Sequence, residues 1–180
     1  MTRVLSLSGS LRHGSSNTAV LEAARRLAPA GVEVVPYAGM GGLPHFNPDV
    51  EAAGLPPGVA QLRAEVDRAD ALLVSSPEYA HGIPGSLKNL LDWLVGSEGF
   101  AGKPVALLNT APRAEHAQRQ LAEVLGTMAA RLVPAAAVTV PLAVRAPDAA
   151  GIAEDAEAAA VIGGVLAALA RAAAPAEAAA

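Results

Sequence analysis

Two polar loops, each set between an apolar strand-like run and a helical pattern, hold the side chains in this sequence best suited to chemistry. The first reads Ser8-Gly9-Ser10-Leu11-Arg12-His13-Gly14-Ser15-Ser16-Asn17-Thr18. It fails the dinucleotide-binding fingerprint, because Leu11 stands where the second glycine of G-x-G-x-x-G is required. It opens like a nucleoside-triphosphate loop, with Gly9 and Gly14 correctly spaced, but Ser15 occupies the place of the phosphate-binding lysine. What remains is a hydroxyl-rich loop with one arginine at the start of a helix. Free N–H groups and partial positive charge at a helix amino terminus favour an anion. Ser10, Ser15 and Asn17 can add neutral hydrogen bonds, and Arg12 a charge-assisted one. Ser15, Ser16 or Asn17 taken singly is more simply a helix cap. Four candidates within eight residues, directly after a strand, tip the balance toward a phosphate site.

The second loop runs from Val74 to Trp93 as VSSPEYAHGIPGSLKNLLDW. Backbone groups of Pro77, Glu78 and Tyr79 can face the polar edge of a planar ring, and Tyr79 offers a face or an edge for stacking. Gly82, Pro84 and Gly85 set the turn, and Gly85 or Ser86 can start the next helix. Leu87, Leu90, Leu91 and Leu94 make a helical stripe for the core. Trp93 falls off that stripe, which leaves two placements: against a second subunit or a cofactor rim, or tucked beneath an adjacent loop. Lys88 and Asp92 read as a solvated face. A phosphate loop and a ring-edge loop in one small protein point to a nucleotide or a flavin.

The elements that must position these loops alternate regularly. Strands are expected at Val4–Ser8, Val32–Tyr37, Ala71–Ser75, Val105–Asn109 and Ala136–Val140. Helices are expected at Asn17–Ala28, Val59–Ala69, Ser86–Val95, Ala114–Arg131 and Ile152–Ala172, from apolar residues at helical spacing. Ala38–Pro57, with four glycines, reads as an excursion loop. The Ala-rich tail from Ala173 reads as frayed. Such alternation implies a parallel sheet with right-handed crossovers and helices on both faces. Five strands favour the flavodoxin-like order 2-1-3-4-5, a three-layer α/β sandwich whose switch point lies between strands one and three. Those are the strands that feed the two loops. Residues 1–180 read as one domain.

At this point both loops resemble those of the NADPH-dependent FMN reductase family, small flavodoxin-like flavoproteins that include chromate and quinone reductases. Gly9, Ser10, Arg12, Ser15 and Asn17 match its G-S-x-R-x-x-S-x-N. Pro77, Glu78, Tyr79, Pro84, Gly85, Leu87, Lys88 and Asn89 match its P-E-Y-x-x-x-x-P-G-x-L-K-N, followed by Asp92 and Trp93. Leu43-Pro44-His45-Phe46-Asn47 and Asp49 are similar to its L-P-x-(F/Y)-(N/D) segment. The resemblance implies noncovalent FMN, with Ser10, Arg12, Ser15 and Asn17 at the phosphate and Pro77, Glu78 and Tyr79 along the isoalloxazine. It implies NADPH or NADH as cosubstrate and a quinone, flavin, azo compound or metal oxyanion as acceptor. It also implies a homodimer or homotetramer. The loop after strand four departs from the family's Gly-rich pattern: it reads Asn109-Thr110-Ala111-Pro112-Arg113-Ala114-Glu115-His116. Asn109 and its neighbours would still border the flavin.

In a flavin enzyme the cofactor carries the hydride chemistry, so no catalytic side chain is assigned. The main rival reading is a flavodoxin-like electron carrier that binds FMN without oxidising NAD(P)H, and a second is a regulatory or scaffold protein that has lost its cofactor. Carriers of that kind sandwich the flavin between aromatics and bear a strongly acidic face. This chain has one Trp, two Tyr and two Phe and a formal charge of −4, which favours the enzyme. The mild charge also argues against nucleic-acid or anionic-membrane partners. Zero cysteines exclude thiolate metal sites and Cys nucleophiles and fit a reducing, cytoplasmic setting. The amino terminus lacks the apolar core of a signal peptide. The apolar run between Glu157 and Arg171 is shorter than the ~20 residues that span a bilayer, so a buried or interfacial helix is expected. His13, His45, His81 and His116 are scattered without metal-ligand spacing and each reads more simply as a polar loop histidine, with His81, inside the second loop, the one near enough to touch a substrate.

Overall fold

The computed structural model describes residues 1–142 and 148–174. Five parallel strands form one sheet in the order β2-β1-β3-β4-β5: β1 Thr2–Ser8, β2 Val32–Pro36, β3 Ala71–Ser75, β4 Pro104–Asn109 and β5 Arg131–Thr139. This is the flavodoxin-like order, with the switch point between β1 and β3. The helices are α1 Ser16–Arg26, α2 Pro48–Ala53, α3 Pro57–Arg68, α4 Gly85–Leu94, α5 Glu115–Thr127, α6 Ala149–Glu154 and α7 Ala156–Ala173.

The apolar strand runs follow from burial on both faces of the sheet. Successive side chains alternate between two cores. Val4, Ala71, Leu73, Ala106 and Leu108 pack with α1, α6 and α7. Leu5, Leu7, Leu72, Val74, Val105 and Leu107 pack with α3, α4 and α5. Every residue of β3 and β4 is buried. Ser8 pairs with Ser75 across β1 and β3, so the first two loops leave the sheet side by side.

Beyond shifts of one or two residues at most element ends, the structure departs from the sequence expectation in its last strand, its last helices and the excursion loop. β5 begins at Arg131 rather than Ala136, because it is an edge strand that tolerates Pro134 and is interrupted by a bulge against Val105–Leu107. That early start ends α5 at Thr127 instead of Arg131. The last helix is two. Asp155 caps α7 by accepting the N–H groups of Glu157 and Ala158, and Asp148 caps α6 through Gly151. Within the excursion loop, Asn47 caps the short α2, with Pro48 at its first position. Ala173 is helical, and the tail expected to fray lies outside the described residues from 175 onward. α7 is long and apolar enough to cross a membrane by length and composition, yet Ile162, Val165, Leu166 and Leu169 are buried in the core beside the sheet.

Trp93 is fully buried, tucked beneath the adjacent loop. Its Nε1 donates to the Pro44 carbonyl at 2.8 Å, and its ring meets Phe46 edge to face at 5.0 Å. Asn89 grips the same segment twice, donating to Pro44 O (2.9 Å) and accepting from Phe46 N (2.7 Å). Arg63 closes the assembly by donating to the Trp93 carbonyl and pairing with Glu51. The Leu43–Asn47 segment is therefore stitched to α4. Lys88 and Asp92 form a surface ion pair on the outer side of that helix, a contact of small energetic weight.

Candidate flavin-binding cleft

Three loops meet beyond the carboxyl ends of β1, β3 and β4. The first two touch at Gly9: a Cβ built there would lie 2.6 Å from Ser76 Oγ, so only glycine permits the approach. Ser15 is the N-cap of α1, but its side chain makes no capping hydrogen bond. The first-turn N–H groups of a helix have no intrahelical partner, and the first turn of α1 contains no acidic residue. Its positive pole is left for an outside anion rather than spent on a local cap. Ser10 and Ser15 are buried while Arg12 is exposed. Arg12 Nη2 donates to the Gly14 carbonyl at 3.0 Å, which folds the guanidinium back over the loop. Gly14 itself holds a φ of +66°, where a side chain would be strained.

Asn17 is buried beneath this loop. Its Oδ1 accepts from Ser75 Oγ at 2.9 Å and from Thr110 Oγ1 at 3.3 Å. One oxygen thus joins the first turn of α1 to the end of β3 and to the loop after β4, and the amide nitrogen remains as a donor. Beside the first loop, a cavity of about 250 Å³ is lined by Ser8, Ser10, Leu11, Arg12, Tyr37 and Met40. Burial first, and the charge of Glu65 second, push the Tyr37 phenol above its ordinary value, so it stays a neutral hydrogen-bonding group.

In the second loop, Tyr79 and Gly82 exchange both backbone hydrogen bonds (2.9 and 3.0 Å) around a two-residue turn. The turn residues Ala80 and His81 sit at φ +48° and +60°, the left-handed region that type I′ turns require. Tyr79 is 54% exposed and Leu11, in the first loop, 59%. Glu78 turns away from the cleft: its Oε2 accepts the Ala117 N–H of α5 at 2.9 Å. It supplies the cap that Ala114, the N-cap residue of α5, cannot give. In the third loop, Asn109 is occupied at both ends of its amide. Its Nδ2 donates to Ala111 O and Thr139 Oγ1, and its Oδ1 accepts from Ala111 N. Ser10 and Arg12 line the cavity beside the first loop, Ser15 and Asn17 stand at the start of α1, and Pro77–Tyr79 follow directly on Ser76, which meets Gly9. Glu78 and Asn109 have side chains engaged in holding loops. The hydroxyl- and N–H-rich first loop suits a phosphate, and the Pro77–Tyr79 backbone beside it suits the edge of a planar ring.

A model of the NADPH-dependent FMN reductase family matches residues 2–145. The chain belongs to that family. An NAD(P)H-dependent FMN reductase of Pseudomonas aeruginosa is 44% identical over 108 residues, covering 59% of this chain and 58% of the relative. A quinone reductase of Escherichia coli is 37% identical over 108 residues, covering 58% and 57%. The chain thus spans under two thirds of the length of either relative. Among solved structures, the flavoenzyme NAD(P)H:(acceptor) oxidoreductase FerB from Paracoccus denitrificans superposes with a TM-score of 0.78 at 28% identity, covering 96% of this chain and 97% of that one.

Within this FMN reductase family member, several contacts around the loops escaped the sequence reading. Ser75 and Thr110 are too ordinary as residue types to stand out, and only the register of β3 and β4 brings them to Asn17. His81 and His116, far apart in sequence, stack with ring centroids 4.3 Å apart and planes 2° from parallel. Arg119 Nη2 lies 3.3 Å from His116 Nδ1. A guanidinium only donates, so that nitrogen is the acceptor. Gln120 reaches the same loop from α5, and no motif flags it.

Proposed function

We propose that this chain binds FMN noncovalently and passes electrons from NADPH or NADH to a small acceptor such as a quinone, free flavin, azo compound or metal oxyanion. The observation that carries the reading is the uncapped amino terminus of α1, opening into a cleft whose two motif-bearing loops interlock at Gly9 and Ser76. Family membership supports it. The α1 N–H groups, Ser10, Arg12, Ser15 and the Asn17 amide nitrogen take the phosphate. Arg12 exchanges its bond to Gly14 for a charge-assisted one. The Pro77–Tyr79 backbone follows the polar edge of the ring, with Tyr79 at its border. Asn109 holds the third loop in place.

Bound FMN supplies hydride acceptance and onward electron transfer. The chain binds and orients it, and the exposed Leu11 and Tyr79 shield the mouth from water while leaving apolar surface for a flat partner. A homodimer or homotetramer is the assembly that the family resemblance implies. The zero cysteine count supports a cytoplasmic setting.

The test is direct. FMN is added to the purified protein, and NADPH oxidation is followed with a quinone present and with protein omitted as control. FMN-dependent turnover supports the reductase. Tight FMN binding without NADPH oxidation identifies the carrier instead, and no flavin binding refutes the cleft assignment.

A further inference from the structure

The Tyr79–Gly82 turn is built from two non-glycine residues in a backbone region that such residues rarely adopt. The contacts that hold it from outside converge on one helix. Glu78 accepts the Ala117 N–H, the His81 ring lies flat on His116, and Gln120 Oε1 accepts the Ile83 N–H at 2.7 Å. Ile83 is the last backbone donor before Pro84 and α4, because proline has no N–H. The Gln120 carbonyl can come this close because Gly82 has no side chain; a Cβ there would sit 3.0 Å from Oε1.

We propose that Gln120 is a positioning residue for the flavin-edge turn, acting through Ile83 to set where the Pro77–Tyr79 backbone meets the ring. Gln120 does not itself touch the cleft. The role rests on the FMN reading above, and it assigns to α5, which follows the atypical third loop, control over the second loop.

Gln120→Leu keeps the bulk and removes the acceptor. Gln120→Glu keeps a carbonyl-type oxygen at the same reach. Each is compared with the parent protein in three measurements: FMN titration by fluorescence, the visible bands of bound FMN, and hydrogen exchange at the Ile83 amide. Loss of one such hydrogen bond should raise the FMN Kd roughly three- to tenfold in Gln120→Leu. It should also shift the flavin bands and speed exchange at Ile83, and Gln120→Glu should return all three toward parent values. Gly82→Ala, which pushes the amide away from the opposite side, should reproduce the band shift. Gln120 is exposed, so thermal melting serves as the folding control. Parent-like affinity and bands in Gln120→Leu, or no rescue by Gln120→Glu, overturn the positioning role while FMN binding stands. A parent protein that binds no FMN removes the cofactor reading and this role with it.

Discussion

Ala129 ends α5 in a conformation better suited to glycine. Its φ is +60°. Its N–H donates to Gly126 O, and the next N–H, of Ala130, donates to Leu125 O, both at 2.9 Å. That pair of bonds is the Schellman closure, in which the left-handed residue is usually glycine. An L-residue there costs about 1–2 kcal/mol relative to glycine. Replacing Ala by Gly also loosens the unfolded chain, which takes back about 0.4–1 kcal/mol. The Ala129 methyl is exposed, so no burial is lost. Ala129→Gly should therefore stabilise the protein by about 0.5–1 kcal/mol. At about 2–4 °C per kcal/mol for a chain of this size, Tm rises by ~1–4 °C. In urea the midpoint should move up with the slope unchanged. Ala130→Gly is the matched control: its φ is not positive, so the same substitution one residue on should lower Tm. A Tm for Ala129→Gly at or below that of the parent, measured by scanning calorimetry, would show that the turn stores no such strain.

Arg12→Ala should weaken FMN binding about 10- to 100-fold, the worth of a charge-assisted hydrogen bond, and leave the melting temperature of the flavin-free protein unchanged; a fluorescence titration reads the first and a thermal melt the second. Asn17→Asp keeps the oxygen that Ser75 and Thr110 use but turns the remaining donor into a negative acceptor. FMN affinity should fall further than stability does, and equal losses in titration and urea melting would count against a phosphate contact. Trp93→Phe removes the donor to Pro44 and part of a packed ring, at about 1–3 kcal/mol; the parent's single tryptophan should emit in the blue, and red-shifted emission would contradict its burial. The hydrogen bond and charge of Arg25, opposed by slight burial, hold the Glu22 carboxyl below its ordinary value. Its stabilising contribution is thus present above the unfolded carboxylate range and lost as pH falls through the folded pKa. The Tm of Glu22→Gln should lie below that of the parent at neutral pH and converge with it in acid; a gap that persists in acid would contradict the pairing.

The central sheet was legible because its strands are buried on both faces and announce themselves as short apolar runs. Ala71–Ser75 has the expected bounds, and the strand order follows from counting the alternations. The edge strand was less legible, since Pro134 and exposed alanines carry no such signal. The Asp155 cap that divides the last helix is one residue in an alanine-rich run that reads as continuous helix. At the cleft, residue type and spacing disclosed which loops matter but not which way a side chain turns. Glu78 facing α5, Asn109 bonded to its own loop and Trp93 roofed by Pro44 all depend on partners distant in sequence. The sequence left Trp93 with two placements, and only the packing of the Leu43–Asn47 segment on α4 selects between them.

The shared oxygen of Asn17 limits how the cleft can move. Asn17, in the first turn of α1, is bonded both to Ser75 at the end of β3 and to Thr110 after β4, so moving the start of α1 breaks both bonds at once. Much of the ordering that a ligand would otherwise impose on binding is completed when the sheet forms. Ligand entry then resembles docking into a set frame more than the closing of fingers one at a time. Contacts at the phosphate end and at the ring end of the cleft should accordingly be gained and lost together.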